Sequence, residues 1–189
     1  MEQACQKLKD GYFEDAREAF SNYLLFDPLE AKAYYGRGVA NFQLNDWPPA
    51  IQDFKKAKEL KPEDKESWIG LAMSLAMESK VYEAIEVFET LLAEHPHYVR
   101  GYIQLGQLYY RLGIISKGHA QMELALKAKP SLEERRLIER LQKEQKSLDK
   151  RRYYRPDFEE LHKQNELMAS KSWVKKMISF FNRKSRRTP

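Results

Sequence analysis

The sequence predicts an all-α array of stacked helix pairs, and three observations carry that prediction. Four prolines, Pro28, Pro62, Pro96 and Pro130, recur at an interval of 34 residues. Other columns keep the same interval: Ala16, Ala50, Ala84 and Gly118; Phe20, Phe54, Phe88 and Met122; Tyr34, Trp68 and Tyr102. Between the prolines, apolar residues return at three-to-four spacing, the period of a helix with one buried face. Self-similarity at this period marks stacked supersecondary units, none of which buries its apolar face alone.

Taken in order, residues 1–28 form a partial first repeat. Only Met1 to Lys9 remain for its opening helix, an end expected to fray. Residues 31–62 form the clearest unit. Tyr34, Arg37, Gly38 and Asn41 share a helical face, and a second helix begins at Asp46 or Trp47. Pro48 and Pro49 are tolerated there because a first helical turn has no internal N–H bonds to lose. Gly38, Ala50 and Ala57 are small enough for the two helices to approach closely, with Tyr34 and Phe54 filling the space between. Lys61-Pro62 ends the second helix, since a residue before proline avoids the helical region.

Residues 65–96 and 99–130 repeat this plan, so the array spans 1–130. A helix over 131–150 follows, with Ser131 placed to cap it and Glu133 and Glu134 in its first turn. Its apolar stripe is expected from Leu132, Leu137, Ile138, Leu141 and Leu148, laid over the last repeat as a cap. Residues 151–189 form a basic amphipathic tail.

Trp68, Leu71, Ala72, Leu75, Ala84, Phe88 and Pro96, and then Tyr102, Leu105, Gly106, Tyr109, Ala125 and Pro130, resemble the tetratricopeptide repeat pattern. The resemblance covers roughly residues 1–130 and implies a right-handed superhelical array of helix pairs. Gly118 and Met122 depart from the pattern, so the last second helix, about Ile115 to Ala128, is expected to be the loosest.

Composition narrows the function. The chain has 189 residues, 42% hydrophobic and 32% charged, as amphipathic helices with solvated faces require. The net charge of +5 hides an asymmetry: from Lys150 onward there are 12 basic and 4 acidic residues, against 21 and 24 before it. One cysteine, Cys5, excludes an internal disulfide framework and fits a reducing compartment. The opening residues show no secretory signal, and no run approaches a membrane span. A cytoplasmic protein, peripheral to a membrane at most, is expected. No phosphate loop, nucleophile motif, acid–base pair or metal-ligand spacing appears, so neither catalysis nor cofactor, metal or small-molecule substrate is expected.

The inner face of such an array comes mainly from the first helix of each unit. It is expected to present Tyr35, Val39 and Phe42, then Ile69, Met73 and Met77, then Arg100, Ile103, Gln107 and Tyr110. An apolar groove of this make-up accepts an extended or helical segment of a protein partner, and Met adapts to varied surfaces. Some family members hold acidic chaperone C-termini through a clamp of Lys and Asn with an Arg. The matching slots here hold Met1, Cys5, Gly36, Glu66 and Gly70 or, one unit on, Tyr35, Val39, Gly70, Arg100 and Gln104. Neither set supplies the cations, so no clamp is expected.

The tail gathers Lys171, Lys175, Lys176, Arg183, Lys184, Arg186 and Arg187 beside Trp173, Met177, Ile178 and Phe181. A basic amphipathic helix suits an anionic membrane surface or an acidic partner, each cation contributing roughly 1 kcal/mol at such a surface. Arg151 to Arg155 interleaves cations with Tyr153 and Tyr154, yet no nucleic-acid motif surrounds it and nucleic acid is not an expected partner. The reading is a scaffold, adaptor or assembly factor. The alternative is a small chaperone for secreted or unassembled subunits, which the array's size makes similar to type III secretion chaperones.

Overall fold

The protein is described by a computed structural model over residues 1–151, with side chains placed through Leu148. Among the described residues the structure is α-helical throughout. Helical hairpins follow one another: α1 (Glu2–Lys9) with α2 (Phe13–Phe26), α3 (Ala31–Gln43) with α4 (Trp47–Leu60), α5 (Lys65–Met77) with α6 (Val81–Glu94), and α7 (Val99–Arg111) with α8 (Ile115–Lys127). A longer helix, α9 (Leu132–Arg151), lies against α7 and α8.

The turn inside each hairpin obeys the 34-residue rule in its backbone. Gly11, Asn45, Ser79 and Gly113 all have positive φ, between 61° and 84°. At each, the next amide reaches back five residues, as Lys80 N–H does to the Leu75 carbonyl at 2.9 Å. This left-handed helix stop reverses the chain within a few residues, so the two helices of a unit become antiparallel neighbours.

Between units, side chains fix the stacking. Trp68 Nε1–H donates to the Pro62 carbonyl at 2.8 Å, and Tyr102 Oη–H donates to the Pro96 carbonyl at 3.3 Å. Phe20 and Phe54 each press on a glycine of the following first helix. A Cβ on Gly36 would stand 2.3 Å from the Phe20 ring, and one on Gly70 2.5 Å from the Phe54 ring.

A polar cluster joins the first two units. Asp53 of α4 is buried and accepts from Arg37 Nη2 at 2.7 Å and Nε at 3.0 Å, and from Asn41 Nδ2 at 2.9 Å. Arg37 Nη1 also donates to Ser21 Oγ of α2 at 3.3 Å. One unit later the same slots hold Leu71, Leu75 and Val87, which join the main core with Phe54, Trp68 and Phe88. Tyr34 belongs to the first-unit cluster with Ala4 and Phe20, so it fills the space between units one and two rather than between α3 and α4.

Two sequence expectations are corrected here. The helix α8 is not loosened by its unusual residues: Met122 is fully buried, and the absence of a Gly118 side chain lets the Tyr110 ring lie directly on α8. The inner stripe of α9 is built on Leu137, Ile138, Leu141 and Gln145, while Leu148 is exposed and so is Leu132, where Ser131 and Glu134 form a reciprocal capping box.

The register also sets α9 apart from the earlier first helices. By position α9 is the first helix of a fifth unit. Arg136, Arg140 and Lys143 stand in the columns that hold Trp68, Ala72 and Leu75 in the third unit, and all three are exposed. The columns that are apolar and buried in the third unit are thus charged and exposed in α9.

Candidate binding groove

Two adjoining clefts run along the inner surface. The first, about 220 Å³, has a floor of Tyr35, Val39, Phe42, Ile69 and Met73, with Phe54 rising from beneath through the space left by Gly70. Tyr35 meets Phe54 edge to face, ring centroids 5.8 Å apart. Glu66, Arg100 and Gln104 form one wall. The second cleft, about 370 Å³, shares Met73 and Gln104 with the first and continues over Gln107 and Tyr110 to Leu141, Gln145 and Leu148 of α9. The two form one channel because Val39, Met73, Gln107 and Leu141 occupy the same slot of successive units.

The charges of the first cleft are matched within it. Glu66 pairs with Arg100 Nη1 at 2.9 Å and accepts the Tyr98 phenol proton at 2.7 Å. Burial first, then the hydrogen bond to Glu66, pushes the Tyr98 phenol pKa up; burial followed by the Glu66 charge does the same to Tyr35. Both phenols stay neutral, and the wall carries one cation balanced by one anion.

The sequence-predicted residues therefore divide. Tyr35, Val39, Phe42, Ile69, Met73 and Arg100 meet in the first cleft, and Gln107 and Tyr110 line the second. Ile103 does not face the groove: it is 2% exposed and packs with Val99, Met122, Ala125 and Ile138 under the cap, because α9 covers that part of α7. Met77 lines neither cleft; its sulfur takes a contact from Arg111 Nη2 at 3.2 Å at the rim. The tail residues Lys171 to Arg187 lie outside the described residues. Sequence reasoning left out the α9 contribution of Leu141, Gln145 and Leu148, although counting 34 residues on from Gln107 reaches Leu141. Gln104 was visible only as a slot lacking a clamp cation.

Among the described residues no cluster of three or more His, Cys, Asp or Glu is placed to hold a metal, and no helix is long and apolar enough to cross a membrane.

Residues 31–64 match the family model for the tetratricopeptide repeat. Solved structures of such proteins share the fold. YrrB, described as a TPR protein with an unusual peptide-binding site, is 19% identical with a TM-score of 0.60, over 69% of this chain and 68% of its own. The second TPR domain of human RPAP3, solved in complex with the HSP70 peptide SGPTIEEVD, is 20% identical with a TM-score of 0.54, over 57% of this chain and 89% of its own. The chain carries a tetratricopeptide repeat at residues 31–64 and has the fold of tetratricopeptide-repeat proteins.

A curated relative, the protein O-mannosyl-transferase Tmtc3 of Drosophila melanogaster, is 30% identical over 83 residues, 44% of this chain. The match spans only 9% of that enzyme's length. A tetratricopeptide array is a module of protein interaction, presenting an extended concave surface rather than reacting groups.

Proposed function

We propose that this protein is an interaction scaffold or adaptor whose inner channel holds an apolar, uncharged segment of a protein partner. The observation that carries this reading is the internal pairing of Glu66 with Arg100 and Tyr98 beside the floor of Tyr35, Val39, Phe42, Ile69 and Met73. An acidic C-terminal peptide needs unspent cations beside the floor, and Arg100, the cation of the first cleft, is already engaged. An apolar segment needs greasy surface and a few carboxamides for its backbone, which Gln104 and Gln107 offer. The lone Cys5 fits work in a reducing compartment such as the cytoplasm.

Peptides selected by phage display on the full chain test the reading. They are expected to be apolar and to lose about tenfold or more in affinity, roughly 1.4 kcal/mol, on Met73→Glu. Selection of acidic C-terminal sequences whose binding ignores Met73→Glu would refute it.

A further inference from the structure

We infer that residues Lys171–Arg187 of this chain dock on the outer face of α2, seated on an apolar knuckle made by Leu25, Phe26 and Leu29. The inference is independent of the groove, which lies on the opposite, inner side of the array.

Three large apolar side chains stand together in solvent at the end of α2: Leu25 is 79% exposed, Phe26 89% and Leu29 71%. The fold does not require them. The slot of Leu25 holds Glu59, Ala93 and Lys127 in the other units, and the slot of Leu29 holds Glu63, His97 and Ser131. The slot of Phe26 holds Leu60, Glu94 and Ala128, so only the first unit fills all three slots with large apolar residues, which is the mark of a contact surface. The knuckle is shaped in advance, for Asp27 Oδ1 accepts the Leu29 N–H at 3.3 Å.

Acidic residues share its face of α2 and adjoin it in sequence. At about 100° per residue, Glu14, Asp15 and Glu18 fall on the same stripe of α2 as Leu25 and Phe26, and all five are exposed. Arg17 pairs with Glu14, and Lys7 lies 3.8 Å from Asp15. Glu18 has no ion-pair partner among the described residues, and Asp27 and Glu30 flank the knuckle. The outer face of α6 supplies an internal control: Glu83, Glu86 and Glu94 make it acidic, without an apolar cluster at its end.

The face asks for an occupant with apolar side chains among cations. Residues 171–187 carry seven Lys or Arg, no Asp or Glu, and Trp173, Val174, Met177, Ile178, Phe180 and Phe181. The reach is sufficient within one molecule. Nineteen residues separate Arg151 from Lys171 and extend to roughly 65 Å. Seven helix-to-helix steps from α9 back to α2, at ~9 Å each, sum to about 63 Å along a zigzag path that is longer than the direct one.

Limited trypsin digestion of the full chain, read by mass spectrometry at Lys171, Lys175, Lys176 and Arg183, tests the inference. At low ionic strength the wild type should be cut there about tenfold more slowly than Leu25→Glu/Phe26→Glu, a pair of exposed positions whose helical signal and Tm report an intact fold. Raising salt to about 0.5 M should bring the wild-type rate toward the variant's, since screening weakens the acidic contribution. In the reciprocal direction, Trp173→Glu should speed hydrogen exchange at Asp27 to Glu30. Equal cleavage of wild type and variant at low salt would overturn the inference. Protection that grows with protein concentration would assign the face to a second copy, and protection seen only with phosphatidylserine vesicles would assign the tail to membrane; either result overturns it.

Discussion

Trp68 and Pro62 are joined by a hydrogen bond: the indole Nε1–H of the third unit's first helix reaches the carbonyl that closes the second unit, at 2.8 Å. The aromatic and proline columns thus repeat together because they are two ends of one contact, with Tyr102 and Pro96 as a second copy. Lys58 lies 4.2 Å above the same indole ring. Trp68→Phe keeps most of the apolar area but leaves the Pro62 carbonyl without this donor. A loss of about 1 kcal/mol is expected, read as a lower urea midpoint at unchanged slope.

The buried Asp53 serves both Arg37 and Asn41, and its hydrogen bond is the main reason that the Arg37 pKa is raised. Asp53→Ala strands a half-buried guanidinium and a buried carboxamide. It should cost about 3 kcal/mol in thermal or urea unfolding. Adding Arg37→Leu and Asn41→Leu should recover part of that loss, because the third unit fills these slots with Leu71 and Leu75. No recovery would mean that Asp53 acts through something other than this cluster.

Ser79 holds φ at +67° in a turn where Gly11 and Gly113 serve the neighbouring units. A side chain there crowds the carbonyl that follows, and glycine relieves it. Ser79→Gly should therefore stabilise the protein by about 0.5–1 kcal/mol, despite glycine's looser unfolded chain. An unchanged or lower Tm would show that the strain is already relaxed.

The raised phenol pKa values of Tyr98 and Tyr35 set an alkaline limit. A group whose folded pKa exceeds its unfolded value favours folding through its protonated form. That contribution is complete below the unfolded value of 10.0 and is lost as pH rises toward the folded one. Urea midpoints should hold level from pH 8 to pH 9.5 and fall above pH 10. Tyr98→Phe should flatten part of that fall while lowering the plateau, since Glu66 loses a donor. A fall of the same steepness in the variant would count against Tyr98 as a source.

Much of the helical array was legible because its signals are local. A proline stops a helix wherever it stands, and a 3.6-residue apolar period fixes a buried face without reference to distant parts of the chain. The columns of Ala50, Phe54 and Ala84 could be read for the same reason: each unit meets its neighbour in the same way. The backbone column of Gly11, Asn45, Ser79 and Gly113 was harder to see, since three residue types share one conformation.

What only the tertiary structure decided is how neighbouring helices and units share space. By periodicity Ile103 belongs to the same inner face as Ile69, yet α9 covers one and leaves the other at the groove floor. Gly118 reads as a weak helix residue until the Tyr110 ring is seen lying on it. Arg100 reads as a free groove cation until Glu66, one unit away, is found to neutralise it. Sequence by itself determined the helices, their interval and their buried faces, because those follow from backbone propensity and period. Which surfaces stay open, and which charges stay unspent, depended on contacts between residues about a full repeat apart, and no local pattern encodes those.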